Sequence, residues 1–190
     1  MNHLIKKEIR SKYLTYRKEY SLWQLSIYNL VIFDKLIDYL KNNSDIRTIA
    51  FYWSINNEVD LKLFYDYCKK LKIICLLPAC YSLNNSAILL FKKIEYNTFH
   101  QKKQIFFLRK AMDINDFPVQ KIDLIICPLI AFNSKNYRIG YGHGYYDKAL
   151  QKIKIQNPNL KTLGVAYHFQ FSTILFQEKY DVQLDKIITN

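Results

Sequence analysis

Apolar side chains recur at two different spacings along this chain, and these spacings predict helices alternating with strands. Over the first 40 residues they lie three or four positions apart, which predicts two helices, the second capped by Ser21. A third helical stripe consists of Val59, Leu63, Tyr67 and Leu71, and a last helix is predicted to begin near Tyr145. Short apolar runs predict strands at residues 48–53, 73–77, 87–91, 123–127, 163–167 and 186–189. Pro78 and Pro128 are expected to end the second and fourth of these strands.

Strands made of continuous apolar runs, placed between helices, are typical of a mostly parallel sheet with helices on both faces. A length of 190 residues fits one domain. We therefore predict a three-layer α/β/α, Rossmann-like fold with an open sheet, as a single domain over residues 1–190. Ligands collect at the carboxyl ends of strands in such sheets. Two polar clusters, at residues 56–58 and 133–147, directly follow predicted strands.

The composition narrows the class of protein. A net charge of +12 favours anionic partners such as nucleotide phosphates, polycarboxylates or nucleic acid, although only residues 6–18 are densely basic. No apolar run reaches the roughly 18 residues of a membrane span, and the first residues lack the apolar core of a secretory signal. The four cysteines have no CxxC spacing, so we expect reduced thiols in a cytoplasmic protein rather than a zinc or disulfide site.

Glycines are concentrated in one turn. Three of the four in the chain are Gly140, Gly142 and Gly144, just before the last predicted helix. Glycine allows positive φ and close approach to the main chain, so successive N–H groups there can surround an anion at a helix N-terminus. Arg138 can contact a phosphate in bidentate fashion, and Asp147 lies where a carboxylate can face a metal–phosphate complex. A tight strand-to-helix connection without a ligand would have the same spacing.

The string RIGYGHGYYDKAL at residues 138–150 resembles the motif of the 5-formyltetrahydrofolate cyclo-ligase family, also called 5,10-methenyltetrahydrofolate synthetases. Five further segments resemble that family in the same order. They are KKEIR at 6–10, NEVD at 57–60, ICLLP at 74–78, IDLIICPLIAF at 122–132 and YDVQLDKIIT at 180–189.

The resemblance implies a reaction in which ATP and 5-formyltetrahydrofolate give 5,10-methenyltetrahydrofolate, ADP and phosphate, with Mg²⁺ as cofactor. It implies small-molecule partners only, the folate with or without a polyglutamate tail, and neither nucleic acid nor membrane. We expect a monomer. Phosphorylating the formyl oxygen makes it a leaving group, so positioning and charge neutralisation would carry the catalysis.

The resemblance also assigns roles to individual residues. The ATP contacts it implies are Lys6, Arg10, Arg138, Ile139, Gly140, Tyr141, Gly142, His143, Gly144, Tyr145 and Tyr146. The folate contacts it implies are Trp53, Glu58, Tyr141, Gly142, His143, Gly144 and Tyr145. Arg138 and Tyr145 would be catalytic, and Asp147 and Asp181 would hold Mg²⁺. Without the resemblance, Lys6 and Arg10 would be interpreted as a solvated face, Trp53 as core and Glu58 as a helix N-terminal charge.

Several positions depart from the family pattern. Asn133 stands where the family usually has Asp, His143 occupies a position that often holds Gly or Lys, and Lys148 replaces an Arg. Leu129 replaces a Gly, and the family's Glu-Pro segment has no clear counterpart in residues 106–118. Two alternatives therefore stay open: a basic nucleotide- or RNA-binding protein without catalysis, and a related ATP-dependent enzyme with another substrate.

Overall fold

The structure is a computed structural model that describes residues 2–83, 86–93 and 117–190. Its helices are α1 (Asn2–Glu19), α2 (Leu22–Lys41), α3 (Lys62–Lys70) and α4 (Tyr145–Gln156), with short 3₁₀ helices at Val119–Lys121 and His168–Gln170. Its strands are β1 (Thr48–Ala50), β2 (Ile74–Leu83), β3 (Ser86–Lys93), β4 (Leu124–Cys127), β5 (Ala131–Asn133), β6 (Arg138–Ile139), β7 (Lys161–Ala166), β8 (Phe171–Ser172) and β9 (Lys186–Thr189).

Six of these strands form the central sheet, in the order β3-β2-β1-β4-β7-β9. Four pairings are parallel, namely β1 with β2 and β4, and β7 with β4 and β9, whereas β3 adds antiparallel to β2 at one edge. The prediction of a mostly parallel open sheet is confirmed. The parallel strands place their carboxyl ends along one edge, where loops can combine into a site.

The helices cover the sheet on both faces, as expected for three layers. Ile49 of β1 and Leu124 of β4 pack with α2 and α3, whereas Ala50 and Ile125, the next residues, pack with α4. This alternation follows from the two-residue period of a strand, which sends successive side chains to opposite faces. The continuous apolar runs of the sequence are thus explained by burial on both sides.

α1 packs on a second, smaller sheet at the carboxyl edge of the central sheet. β5 pairs with β6 antiparallel and with β8 parallel, forming a second, three-stranded sheet. Ile9 and Tyr13 of α1 pack there against Ile130, Ile139 and Phe176 in a cluster separate from the main core. The sequence analysis predicted only a loop between β4 and Arg138, because strands of two or three residues leave no period to detect.

The predicted strand ends differ from the observed ones. β1 ends at Ala50, three residues early, and β2 continues through Pro78, which pairs with Phe91 of β3. The Leu76 carbonyl accepts a hydrogen bond from the Phe51 N–H on the β1 side. Residues two apart in a strand direct their backbone N–H and C=O groups to the same side. The nitrogen of Pro78, two residues after Leu76, therefore faces the β1 side, at a level beyond the end of β1. The missing N–H therefore removes no ladder hydrogen bond.

The predicted stripe of α3 is wrong. Leu63 and Leu71 are about half exposed, at 48% and 52%, and Val59 lies before the helix begins. A second set of apolar residues, also at helical spacing and richer in aromatic area, takes the buried face. That set is Leu61, Phe64, Tyr65 and Cys68.

One expectation falls largely outside the described residues. Of residues 106–118, where the family's Glu-Pro segment has no clear counterpart, only Phe117 and Pro118 are described. Among the helices of the described ranges, none combines the length and apolarity needed to cross a membrane.

Candidate active site

The glycine turn connects β6 to α4 and requires glycine at two positions. Gly142 has φ +99° and Gly144 has φ +69°, and Gly144 is the N-cap of α4. The first backbone hydrogen bond of the helix runs from the Lys148 N–H to the Gly144 carbonyl at 3.1 Å. The N–H groups of the residues between them have no partner within the helix, as at any helix start. The turn therefore presents donors and the positive end of α4, which suits an anion.

Arg10 of α1 lies directly against this turn. Its Nε donates to the Gly140 carbonyl at 2.8 Å, and a Cβ on Gly142 would come within 3.3 Å of its guanidinium. Burial lowers the pKa of Arg10, with no carboxylate contributing to the shift. A partly desolvated cation beside free N–H groups adds to the affinity of the turn for an anion.

Lys6, one helical turn before Arg10, joins the site to the chain's closing segment. Its Nζ contacts Asp181 Oδ2 at 2.6 Å and Glu178 Oε2 at 2.8 Å. Burial lowers the pKa of Lys6, but hydrogen bonds and charge attraction from the two carboxylates outweigh burial and raise the pKa overall. The structure thus places two of the predicted residues, Lys6 and Asp181, in direct contact.

Arg138 is buried and forms an ion pair with Asp147. Its Nη2 lies 3.1 Å from Asp147 Oδ1, and its guanidinium stacks 5.8 Å from the Tyr146 ring centre. The Val182 N–H donates to the same Asp147 oxygen at 3.1 Å. Since Val182 follows Asp181, this hydrogen bond joins Asp147 to the main chain next to the second predicted metal ligand.

The donor set at these two aspartates fits Mg²⁺. Mg²⁺ prefers oxygen ligands and is usually held by one or two carboxylates together with phosphates and water. The hydrogen bonds above use Oδ1 of Asp147 and Oδ2 of Asp181, which leaves the other oxygen of each carboxylate outside them. Across residues 2–83, 86–93 and 117–190, no group of three or more His, Cys, Asp or Glu gathers into a metal site. An ion held by two carboxylates would complete its ligands with phosphate and water oxygens.

Beside Asp181 there is open space. A polar cavity of about 610 Å³ lies between α4 and the segment before β9, lined by Gln151, Lys154 and Lys179 among others. Asp181, one of the two predicted metal ligands, and Val182, whose N–H donates to Asp147, are part of its lining.

Glu58 occupies a buried position after β1. Burial raises its pKa from 4.5 to about 7, against opposing effects of the Arg17 charge, the Ile55 N–H and the Tyr141 hydroxyl. The Ile55 N–H donates to Oε2 at 3.1 Å, and Arg17 Nη1 lies 4.0 Å from Oε1. Oε1 has no hydrogen-bond partner among the described residues. A buried carboxylate oxygen without a donor is costly, so it marks a position where a ligand N–H could bind.

Tyr141 links the Glu58 corner to the glycine turn. Asn56 Nδ2 donates to the Tyr141 hydroxyl at 3.4 Å. Burial and the Glu58 charge raise the pKa of Tyr141, despite its hydrogen bonds with Asn56 and Arg17. The two polar clusters that the sequence places after separate strands therefore meet through this hydroxyl.

The other predicted aromatic residues lie around these groups. Trp53 is half-buried against the core beneath α2 and α3, and Tyr145 is half-buried against the opposite core. The Tyr146 hydroxyl is buried without a hydrogen-bond partner among the described residues. His143 is exposed at the outer side of the turn, with its ring 6.0 Å from that of Tyr145.

Asn133 orders a loop. It is 1% exposed, and its Oδ1 accepts hydrogen bonds from the Lys135 and Tyr137 N–H groups at 3.0 and 3.2 Å. Its Nδ2 donates to Gln177 Oε1 at 3.0 Å. These contacts order the loop between β5 and β6. The change from Asp removes a charge without removing the oxygen that closes the β5–β6 hairpin.

Comparison with known proteins decides the family. The model of the 5-formyltetrahydrofolate cyclo-ligase family matches residues 3–190. The chain belongs to this family. A Mycoplasma pneumoniae relative named 5-formyltetrahydrofolate cyclo-ligase is 32% identical over 186 residues, which cover 97% of this chain and 98% of the relative. An Escherichia coli relative of the same name is 24% identical over 75% of this chain and 78% of its own.

Solved structures agree. The 5,10-methenyltetrahydrofolate synthetase from Mycoplasma pneumoniae superposes with a TM-score of 0.76 at 31% identity, covering 97% of this chain and 98% of the other. The Aquifex aeolicus synthetase, with a TM-score of 0.69 at 24% identity and coverage of 96% and 88%, supports the fold alone. As a member of this family the chain is an enzyme, a cyclo-ligase.

The sequence analysis missed two polar residues of the site: Arg17, which contacts Glu58, and Glu178, which contacts Lys6. It placed Asn56 in a polar cluster but did not predict its contact with Tyr141. Arg17 lies seven residues after Arg10 and so shares its helix face, a signal that was available in the sequence. Residues 6–18 also contain lysines at other positions, and spacing alone does not tell which cations are buried.

Proposed function

We propose that this chain converts 5-formyltetrahydrofolate to 5,10-methenyltetrahydrofolate with ATP and Mg²⁺. The observation that carries the proposal is the glycine turn, which lies between Arg10, the start of α4 and the Glu58–Tyr141 corner. A phosphate-binding turn next to a buried carboxylate suits a reaction between a nucleotide and a ring that carries N–H groups. The family match supports the same reaction.

In this proposal the ATP phosphates bind at the glycine turn. The N–H groups of the turn and of the start of α4 face the phosphate oxygens, and Arg10 adds a fixed cation. Lys6 already lies beside Asp181 and would move between that carboxylate and a phosphate. The remaining ATP contacts proposed on the turn are Arg138, Ile139, Gly140, Tyr141, His143, Gly144, Tyr145 and Tyr146.

The folate ring binds in the Glu58 corner. The unpartnered Oε1 of Glu58 accepts a hydrogen bond from the amino or ring N–H of the pterin, and Trp53 packs on the ring. Tyr141 to Tyr145 then lie between the pterin and the phosphates. This arrangement brings the formyl group toward the terminal phosphate, which is the geometry that the reaction needs.

The chemistry takes two displacements. The formyl oxygen attacks the γ-phosphorus, an O–P bond forms, the bond to the β-phosphate oxygen breaks, and ADP leaves. N10 then attacks the formyl carbon and loses its proton, and the C–O bond breaks as phosphate departs with the electron pair. Arg138 and Tyr145 are the proposed catalytic residues: Arg138 would contact the ATP phosphates beside Asp147, and Tyr145 lies at the first position of α4, next to the proposed phosphate site.

Asp147 and Asp181 would hold Mg²⁺. When bound, the ion would neutralise negative charge on the ATP phosphates. The chain's own contribution is to fix the two carboxylates, through Arg138 and the Val182 N–H for Asp147 and through Lys6 and the Glu178 N–H for Asp181.

A direct assay tests the proposed reaction. Purified protein is mixed with 5-formyltetrahydrofolate, ATP and Mg²⁺, and the absorbance of the methenyl product is followed. We expect product in proportion to ADP, and none when ATP is omitted. If a relative from another organism forms product under the same conditions and this chain does not, the proposal is wrong.

Asp147→Asn tests the carboxylate in the first turn of α4. Asparagine keeps an oxygen for the Val182 N–H but loses the charge, so we expect kcat to fall by about a hundredfold or more while the fold is retained. Asp34→Asn, an exposed change on α2, is the matched control and should leave kcat unchanged. Wild-type kcat in Asp147→Asn would exclude the proposed role.

We propose that the protein is a monomer, as the sequence analysis expects. Light scattering of the purified protein would measure its mass, and a dimer would contradict the expectation. The cytoplasmic location and the acceptance of a polyglutamate tail stay predictions.

A further inference from the structure

Arg17 is a buried arginine of α1 that contacts two loops of the site. Its side chain is 1% exposed, and its Nη2 donates to the Leu129 carbonyl at 2.7 Å. Its Nη1 donates to the Asn56 carbonyl at 3.3 Å and lies 4.0 Å from Glu58 Oε1. One guanidinium thus connects the loop after β4 to the loop after β1.

The loop after β1 needs such a connection. Asn56 and Asn57 both have positive φ, at +49° and +57°, which is unfavourable for residues with a Cβ. Asn57 Nδ2 also donates to the Arg17 carbonyl at 3.4 Å, so both asparagines contact the same residue of α1. A loop in this strained conformation persists where its surroundings hold it.

Arg17 shares one face of α1 with the proposed ATP contacts. Lys6, Arg10 and Arg17 are separated by four and seven residues, close to whole helical turns. They contact Asp181, the Gly140 carbonyl and the Glu58 corner in turn. A single rigid helix therefore sets the distance between the phosphate end and the ring end of the site.

Charged and titratable groups reach Glu58 from every element around it. Arg17 of α1 and Tyr141 of the glycine turn are nearest, and Tyr52, Tyr146 and Tyr167 interact with it from the end of β1, from α4 and from the end of β7. Arg17 is the one cation among these groups. Its charge therefore opposes the burial that favours protonated Glu58.

We propose that Arg17 is a positioning residue for folate: it fixes the loop at residues 55–58 and aims the Glu58 carboxylate at the ring. The inference rests on the proposed function, in which Glu58 accepts the pterin N–H. A planar guanidinium reaches two carbonyls and a carboxylate at once. Lysine has the charge but donates from a single nitrogen, so it supplies the charge without this geometry.

Two substitutions separate geometry from charge. In Arg17→Lys we expect the KM for 5-formyltetrahydrofolate to rise by about tenfold, or ~1.4 kcal/mol, with the KM for ATP changing less than about twofold. In Arg17→Met the same KM rises at least as much, and the acidic limb of kcat/KM for folate moves to higher pH, because the cation favouring ionised Glu58 is gone. Arg17→Lys keeps that limb near its wild-type position.

Lys18→Met is the matched control. It removes one positive charge from the next, exposed position of the same helix and should leave both KM values and the pH profile unchanged. Circular dichroism and thermal unfolding check that each variant folds, and Arg17→Lys carries the test if Arg17→Met does not fold.

The outcomes distinguish the two proposals. If the wild-type protein forms no methenyl product, both fail. If wild-type turnover is normal and Arg17→Lys has an unchanged KM for folate, only the role of Arg17 fails. A purely structural role would lower the midpoint of unfolding and kcat, without a selective rise in the KM for folate or a shift of the acidic limb.

Discussion

The properties of Gly142 and Glu58 depend on the atoms that surround them in the fold. Two features favour glycine at Gly142: its φ of +99°, and the Arg10 guanidinium, which would lie only 3.3 Å from a Cβ. Glu58 lies in the loop after β1. One oxygen of its carboxylate accepts a hydrogen bond from the Ile55 N–H, and the other has no hydrogen-bond donor among the described residues. Composition alone gives neither property, because each depends on an atom that is distant in sequence.

Gly142→Ala should both strain and displace the turn. A Cβ there meets Arg10 at 3.3 Å, and the positive φ adds strain, so we expect a loss of ~1–3 kcal/mol in the free energy of unfolding. The shifted arginine should also raise the KM for ATP. Gly140→Ala is the comparison for stability, since a Cβ at Gly140 meets nothing within 4 Å. Equal urea midpoints for the two variants would refute the steric argument.

Glu58 should make stability depend on pH. Its pKa is raised from 4.5 to about 7, so between these values the folded chain binds a proton that the unfolded chain does not. The free energy of unfolding therefore falls as pH rises through this window, and the contribution is gone above it.

Glu58→Gln removes this titration. Its stability relative to the wild type should rise by a few kcal/mol between about pH 5 and about pH 8, as measured by urea unfolding. A difference that stays constant with pH would mean that the carboxyl titrates normally in the folded protein.

At the scale of elements, α1 and α2 have different tasks. α1 carries the basic face that contacts the glycine turn, Asp181 and Glu58, and it rests on a satellite cluster rather than on the main core. α2 packs on the sheet through Leu25, Ile32, Leu36 and Leu40 and is closed at its start by Ser21. The sequence predicted both helices and this cap, because periodicity and capping are local properties.

Ser21→Ala should weaken α2 without affecting catalysis. The Ser21 hydroxyl accepts from the Gln24 N–H at 3.2 Å, and the Gln24 side chain accepts from the Ser21 N–H at 3.0 Å. Losing this capping box should cost about 1 kcal/mol, measured by urea unfolding, with kcat and both KM values retained. Ser26→Ala, an exposed change inside the same helix, should cost less. The cap is unimportant if the two variants unfold at the same urea concentration.

At the scale of the whole molecule, the fold unites segments that are far apart in the chain. The site combines α1, the loop after β1, the turn before α4 and the segment before β9, across the carboxyl edge of the sheet. Gly164 in β7 lies behind this edge, where a Cβ would meet Leu129, Leu184 and Ile187, each at 3.0 Å. Leu129 stands where the family pattern has glycine.

Gly164→Ala should therefore destabilise the fold by ~1–3 kcal/mol through overpacking. The reason can be tested with Leu129→Ala, which removes one of the three crowded side chains. In urea unfolding, the double variant should lose less stability than the sum of the single losses, since space left by Leu129 accepts the new methyl group. Strict additivity would argue that Leu129 is not the obstacle.

The sequence by itself determined the alternating helices and strands, the mostly parallel sheet and the glycine turn, because periodicity and glycine content act over a few residues. It also supplied the family through ordered motifs, which the family match confirmed. Only the tertiary structure decided that β2 passes through Pro78, that α3 buries Phe64 and Tyr65 rather than Leu63, and that Asn133 closes a hairpin. It alone brought Arg17 to Glu58 and Lys6 to Asp181. These outcomes depend on which distant groups compete for the same burial and the same hydrogen bonds, and no local pattern records that competition.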